Sequence, residues 1–129
     1  MIAVDTNIVV RFLTQDDKRQ YKKCLQLFKD ENIFIPDTVI LETVWVLSFV
    51  YKFKPGDISM ALGGLFGLPN IVLSNAQAIA TVLGLYEQGV DFADAFHLAM
   101  SEGCSELKTF DKAFARKAKG LSGCTVITL

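Results

Sequence analysis

The sequence predicts an α/β fold in which a mainly parallel β-sheet of about five strands is covered by helices. Two observations lead to this prediction. Short runs of β-branched residues alternate along the chain with longer runs of helical periodicity, and hydrophobic residues make up 51% of the 129 positions. No linker or repeat divides the chain, and its length suffices for one good core, so we expect a single domain over residues 1–129.

The N-terminal part of the chain predicts a strand followed by a helix. Residues 2–4 form an apolar run that ends at Asp5, which is typical of a short buried strand. Thr6 or Asn7 can cap the helix that follows, which extends to about residue 13. With either cap, the Asp5 carboxylate is left free for another role.

The next elements follow from the spacing and length of their apolar runs. Apolar positions three or four apart predict an amphipathic helix over 18–30. A short apolar run over 33–35 predicts the second strand. The run over 39–51 is nearly all apolar and too long for a typical strand, so it predicts a buried helix. Pro55 suits the first turn of a helix over 55–66.

The second half of the chain continues the alternation of strand and helix. The predicted strands are 71–73, 107–110 and 125–129, and the predicted helices are 76–88, 91–102 and 112–119. Gly89 is a good C-terminal cap for the first of these helices.

Net charge, cysteine content and apolar stretches limit the kinds of protein that this chain can be and the cellular compartment in which we expect it. A net charge of −1 disfavours a strong, sequence-independent polyanion binder. The three cysteines are widely spaced and form no C-x-x-C pair, so neither a disulfide framework nor a zinc site is indicated, as expected in a reducing cytoplasm. Glycines and Pro69 break the uncharged stretch 58–86, and the N-terminus lacks a basic segment, so we expect no membrane span and no signal peptide.

Acidic residues stand at two predicted strand ends, where an open α/β sheet gathers its ligands. Asp5 follows the first strand, and Asp111 follows the fourth. Asp111 also precedes a helix, so capping and ligation are both open to it. Glu42 is the only charged residue between Asp37 and Lys52. On so apolar a helix its carboxylate needs a partner, and no Lys or Arg lies one turn away to supply one.

Asp91 and Asp94 lie three residues apart, so in a helix they share a face. Asp91 is best explained as the N-cap of the helix that it precedes, and Asp94 can complete a turn of the capping-box kind. Both are candidates for the same acidic cluster as the other three carboxylates.

Convergence of four carboxylates requires compensation of their charge. Two like charges about 5 Å apart repel by roughly 3 kcal/mol at an effective dielectric constant of about 20. Four are tolerated only if some protonate or if a divalent cation neutralises them. Ligation by oxygen alone favours Mg²⁺ or Mn²⁺ over zinc, and such a site suits phosphodiester hydrolysis.

Four segments of the chain, in this order, carry a family resemblance. They are Val4-Asp5-Thr6-Asn7, Glu42, the string DFADAFHLA over 91–99, and Thr109-Phe110-Asp111. Together they resemble the motifs of PIN-domain nucleases, and they are most similar to the VapC-like toxins of type II toxin–antitoxin pairs. The similarity extends over essentially the whole chain.

The resemblance implies a single three-layer, Rossmann-like domain with an acidic quartet around Mg²⁺ or Mn²⁺. The quartet consists of Asp5, Glu42, Asp94 and Asp111. The resemblance further implies endonucleolytic cleavage of RNA, a homodimer, and a cognate antitoxin that occupies the active-site groove.

Four further residues are assigned supporting roles. Asp91 is a candidate fifth ligand or an outer neighbour of the quartet. Asn7 and Thr109 match polar positions of the motifs and are expected to position water or a carboxylate. Arg11 lies one turn from Asn7, so it can face the groove and a phosphate, although a solvated or salt-bridged arginine is an equal alternative.

Two other functions stay open. A PIN fold can serve as an interaction module without catalysis, although an inactive binder has no reason to keep four repelling carboxylates. A nuclease acting on another nucleic acid, without a toxin role, is the second alternative.

Trp45 and Phe49 fall on a helical apolar stripe and are expected in the core or in a subunit interface.

Overall fold

The computed structural model describes residues 1–129 as two compact units, Met1–Ser74 and Asn75–Leu129. They contain five strands and seven helices in an alternating order. Every strand pairing is parallel, which confirms the predicted α/β class. None of the helices combines the length and the apolar character that a membrane crossing requires.

The first unit holds a three-stranded parallel sheet and four helices. Its elements are β1 (Ile2–Ala3), α1 (Thr6–Thr14), α2 (Lys18–Asp30), β2 (Ile33–Phe34), α3 (Asp37–Phe49), α4 (Pro55–Phe66) and β3 (Ile71–Val72). The strand order is β1-β2-β3. Ala3 pairs with Phe34, which in turn pairs with Val72, so β2 is the central strand. The carboxyl ends of the three strands therefore share one edge, and Asp5 follows β1 at that edge.

The second unit holds a two-stranded parallel sheet and three helices. Its elements are α5 (Ala76–Glu87), α6 (Phe92–Met100), β4 (Glu106–Thr109), α7 (Lys112–Lys117) and β5 (Thr125–Thr128). The ladder between β4 and β5 runs from the pair Glu106–Thr125 to the pair Thr109–Thr128. The expected five strands are thus present, but they form a three-stranded and a two-stranded sheet where one sheet was expected.

The predicted elements are all present, and their bounds differ from the predictions by one or two residues at the ends of several helices and of the strands. Helices α2 and α4 have the predicted bounds. Helix α3 begins and ends two residues earlier than predicted. Pro36 is its N-cap, and Asp37 is its first helical residue. Gly89 has a φ of +99°, the left-handed conformation that a glycine adopts most cheaply after a helix end.

Large aliphatic side chains fill the core of each unit. In the first unit, Ile33 on β2 and Leu47 on α3 are 0% exposed, and Ile58 on α4 is equally buried. In the second unit, α5 and α6 pack on each other, and Val82 on α5 and Leu98 on α6 are also 0% exposed. Full burial of each such side chain stabilises the fold by about 1.5–3 kcal/mol.

Candidate functional site

Asp5 caps helix α1, which corrects the expectation that Thr6 or Asn7 would do so. Its backbone is extended (φ −96°, ψ 179°), and its side chain accepts a hydrogen bond from the backbone N–H of Ile8. The distance from that nitrogen to Asp5 Oδ1 is 3.1 Å. The sequence predicts a free Asp5 carboxylate, whereas in the structure one of its oxygens is fixed by this hydrogen bond. The residue is exposed, so capping leaves the carboxylate open to solvent and ligands.

Glu42 lies on an exposed position of α3 and accepts a hydrogen bond on Oε1 from the hydroxyl of Thr6. The sequence predicts that Glu42 lies on a buried helix, and this prediction is wrong at its position, because the side chain is exposed. The partner that the carboxylate needs is a neutral hydroxyl on α1 and not a basic residue. Thr6 is only 7% exposed, so the donor is itself held firmly by packing.

The exposed face of α3 around Glu42 is apolar. Leu41, Trp45 and Phe49 follow one another at four-residue spacing and are 36%, 58% and 61% exposed. The rings of Trp45 and Phe49 are 5.5 Å apart. Of the two expected locations for these aromatics, core or interface, the core is excluded by their exposure.

A cleft of about 810 Å³ opens between α1 and α2 in the first unit, beside Asp5. Its polar lining includes Asp5, Asn7, Arg11 and Lys23. Asn7 and Arg11, which the sequence assigns supporting roles, therefore line the same cleft as Asp5.

The guanidinium of Arg11 is held by three acceptors. Nε donates to Gln20 at 2.7 Å, and Nη1 donates to the hydroxyl of Tyr51 at 3.0 Å and to Asp16 Oδ1 at 3.4 Å. Arg11 is thus salt-bridged to Asp16 and also lines the cleft, so neither of the roles expected for it excludes the other. Asp16, Gln20 and Tyr51 carried no sequence signal for this arrangement, since it depends on the fold of three separate elements.

In the second unit, Asp91 caps α6 by accepting a hydrogen bond from the backbone N–H of Asp94, as predicted. The nitrogen of Asp94 lies 3.3 Å from Asp91 Oδ2. The side chain of Asp94 is half-buried on the first turn of α6. Burial raises the pKa of Asp94 above its usual value, and the negative charges of Asp91 and Asp111 raise it further.

Asp111 caps α7, which is one of the two roles left open for it. Its Oδ1 accepts a hydrogen bond from the backbone N–H of Phe114 at 3.0 Å. The hydroxyl of Thr109 in turn accepts one from the backbone N–H of Asp111, also at 3.0 Å. Thr109 therefore shapes the turn that presents Asp111, and Asp111 remains exposed.

The candidate carboxylates thus form two groups, one in each unit. Asp5 and Glu42 belong to the first unit, where Thr6 connects α1 to α3. Asp91, Asp94 and Asp111 belong to the second unit, where the charges of Asp91 and Asp111 both act on Asp94. Neither unit by itself brings together three or more His, Cys, Asp or Glu side chains in a way that could hold a metal ion.

The donor chemistry of both groups nevertheless fits a hard divalent cation. All candidate ligands are carboxylates, whose oxygens suit such a cation. Burial is the main cause of the raised pKa of Asp94, and the charges of Asp91 and Asp111, which a cation would offset, add to it. Sequence reasoning missed one further acid, Asp37, whose Oδ1 is buried without a hydrogen-bond partner. The available signal was its position three residues after the end of the second strand.

The family model of the PIN domain matches residues 2–120 of the chain, which is nearly its full length. The comparison with curated proteins gave no match.

Proposed function

The chain belongs to the PIN domain family, whose members are generally nucleases, and from this premise we propose that it is a metal-dependent endoribonuclease. In this proposal Asp5, Glu42, Asp94 and Asp111 form the acidic quartet, and Mg²⁺ or Mn²⁺ is the cofactor. The substrate is RNA, and the reaction is hydrolysis of a phosphodiester bond.

The observation that supports the proposal most is the placement of Asp94, which is half-buried on the first turn of α6 next to the capping carboxylate of Asp91. A half-buried carboxylate with two acidic neighbours is costly, because burial and like charge both oppose ionisation and raise its pKa. A fold that needs Asp94 only for packing has no use for this arrangement. Perturbed acids of this kind cluster at functional sites.

The residues of the chain have separable roles in this mechanism. The four carboxylates of the quartet would each supply an oxygen ligand to the cation, with Asp91 as an outer neighbour. When bound, a divalent cation supplies Lewis acidity to the phosphodiester and lowers the pKa of water.

Most of these carboxylates are held in fixed positions by hydrogen bonds. Asp5 and Asp111 are fixed by the helix N-termini that they cap, and Glu42 is fixed by the Thr6 hydroxyl. Fixed carboxylates present their free oxygens with little loss of side-chain entropy on binding. Asn7 lines the cleft next to Asp5 and would orient the substrate there.

The biological role that we propose is that of a VapC-like toxin in the cytoplasm, controlled by a cognate antitoxin. The cleft beside Asp5 supports the proposal of inhibition by an antitoxin, because a polypeptide bound in this cleft would cover a proposed catalytic carboxylate. The exposed apolar face of α3 supports a homodimer, since aromatic side chains as open as Trp45 and Phe49 favour a partner surface.

Cleavage of a fluorescent single-stranded RNA by the purified protein tests the enzymatic proposal. Cleavage should require Mg²⁺ or Mn²⁺, stop in excess EDTA, and fall about 100-fold or more in Asp94→Asn. Glu102→Gln is the matched control, because Glu102 is exposed in the same unit outside the acidic group, and it should keep full activity. Equal cleavage in EDTA, or full activity of Asp94→Asn, would refute the proposal. A DNA strand of the same sequence, cut equally well, would refute the RNA specificity.

The toxin role has its own test, because an RNase need not be a toxin. Expression of the wild-type chain alone should arrest bacterial growth, whereas expression of Asp94→Asn to the same level should not. Normal growth with an active, well-expressed enzyme would contradict the toxin assignment and leave the nuclease activity unaffected.

A further inference from the structure

The cleft between α1 and α2 has the dimensions and the lining of a small-ligand site. Its volume of about 810 Å³ lies within the range of ligand pockets, which is roughly 300–1,000 Å³. Ile8 and Leu27 contribute apolar surface, and Arg11 and Lys23 contribute positive charge. Asp5, a proposed catalytic carboxylate, lines the same cleft. An apolar surface with two cations suits a nucleotide, because the flat face of its base packs on apolar side chains and its phosphate is anionic.

Arg11 is preorganised to bind an anion. Its Nε and both hydrogens of Nη1 are taken by Gln20, Tyr51 and Asp16, as described above. Nη2 makes no hydrogen bond in the structure, so its two N–H donors remain available. The side chain is 30% exposed and lines the cleft, so a ligand in the cleft can approach it.

Tyr51 and Asp16 form the support behind Arg11. The hydroxyl of Tyr51 accepts from Arg11 Nη1 and donates to Asp16 Oδ2 at 2.6 Å. Thr14 adds a further hydrogen bond to Asp16 Oδ1 at 2.9 Å. The hydrogen bond from Tyr51 is the main cause of a lowered pKa of Asp16, which therefore stays ionised opposite the guanidinium.

We propose that this cleft binds one nucleotide of the RNA next to the bond that is cut, with its phosphate on Nη2 of Arg11, and that Tyr51 and Asp16 are positioning residues for Arg11. The inference rests on the proposed ribonuclease function for the identity of the ligand. Lys23 is the second cation of the subsite, and Ile8 and Leu27 contact the base. A guanidinium that is already oriented loses little entropy on binding, which is the advantage of the support.

A purely structural role for the same hydrogen bonds is the alternative. In that case they only join the end of α1 to α2 and to the segment after α3, and their loss would lower stability without changing how RNA binds. The two roles differ in the salt dependence of binding, because only a direct phosphate contact releases counterions.

Binding of a fluorescent single-stranded RNA in EDTA, measured by anisotropy over a range of salt concentrations, distinguishes the two roles. Arg11→Ala should raise Kd about tenfold, the usual effect of losing one charge-assisted hydrogen bond. It should also lower the slope of log Kd against log salt by about 0.7, the value for one phosphate of a single strand. Arg19→Ala is the matched control, since Arg19 is exposed on α2 and does not line the cleft. Unchanged affinity and slope in Arg11→Ala would overturn the proposal, and that result is also expected if the cleft takes only a polypeptide.

The positioning role is tested by Tyr51→Phe, which keeps the ring and removes the hydroxyl. It should raise Kd about threefold to tenfold while the salt slope stays at the wild-type value, because the charge of Arg11 is retained. Tyr21→Phe is the control for the same change on α2. Wild-type affinity in Tyr51→Phe would overturn the positioning role.

A competition experiment tests whether the ligand is a nucleotide and not phosphate alone. Adenosine 5′-monophosphate should displace the RNA at a concentration about tenfold lower than inorganic phosphate, because the apolar side of the cleft binds the base. Equal potency of the two would overturn the nucleotide subsite. Since all of these measurements are made without cleavage, failure of the ribonuclease proposal and failure of the subsite give different results.

Discussion

The hydroxyl of Thr6 donates a hydrogen bond to Oε1 of Glu42, which joins α1 to α3 across 36 residues of sequence. Thr6 is buried at the first position of α1, directly after the Asp5 cap. Glu42 is exposed and has no basic neighbour on its helix. One buried hydroxyl therefore sets the direction of a carboxylate that would otherwise sample several rotamers.

Replacement of Thr6 by Val should uncouple Glu42 with little change in shape. The branched side chain is kept and the donor is lost, so we expect cleavage activity to fall about tenfold, the usual effect of one hydrogen bond to a charged group. Thr6→Ser keeps the hydroxyl and should stay within about threefold of the wild type. Initial rates of RNA cleavage measure both. Equal activity of Thr6→Val and wild type would mean that Glu42 does not need its partner.

Asp5 serves as an N-cap and as a proposed catalytic acid, and two substitutions separate these roles. Asparagine is as good an N-cap as aspartate, so Asp5→Asn should keep the free energy of unfolding and lose activity. Asp5→Ala should lose activity as well, and in addition about 1 kcal/mol of stability. Urea denaturation measures the stability of each variant, and RNA cleavage measures its activity. An active Asp5→Asn would remove Asp5 from the catalytic group.

The pKa of Asp94 makes a prediction about stability and pH. The folded protein holds the proton of Asp94 more tightly than the unfolded chain does, because burial and the charges of Asp91 and Asp111 oppose ionisation. Stability is therefore lost as the pH rises from the ordinary pKa of an aspartate through the raised value of the folded state, and the loss persists at neutral pH. Below the ordinary pKa the loss is absent.

Asp94→Asn should accordingly melt at a higher temperature than the wild type at pH 7 without divalent cations, and the difference should vanish at pH 3. Mg²⁺ should raise the melting temperature of the wild type more than that of the variant, because it binds only the folded carboxylates. Thermal unfolding followed by circular dichroism measures these shifts, with Glu102→Gln as the control. A variant that melts below the wild type at pH 7 would contradict the prediction.

Local pattern was sufficient for the regular elements and insufficient for side-chain environments. The bounds of α2 and α4 follow from periodicity and from Pro55, because both signals are local. The choice of Asp5 as the cap of α1 could not be derived, since Asp, Thr and Asn cap almost equally well and the backbone decides between them. The sequence placed Asp91 correctly because only one good cap precedes α6.

The prediction that α3 is buried was wrong for one face of the helix, and the reason is physical. Periodicity shows that a helix is apolar but not whether the fold covers every face of it. Leu47 is buried and Trp45 is exposed on the same helix, although both are large apolar residues. The cluster around Arg11 was also out of reach, since Tyr51 is 40 residues away in the sequence.

The exposed face of α3 leads to the last prediction, which concerns the proposed homodimer. Trp45 is the only tryptophan of the chain, so its fluorescence reports on this face alone. If a second copy covers the face, the emission should shift to shorter wavelength as the protein concentration rises, and sedimentation should show a dimer at micromolar concentration. Phe49→Lys keeps the reporter and places a charge on the face, so it should sediment as a monomer. It should still fold, because Phe49 is 61% exposed. Met100→Lys is the control, with a side chain of the second unit that is 57% exposed, and it should remain a dimer. A wild-type protein that sediments as a monomer at all concentrations, with unchanged Trp45 emission, would refute the homodimer.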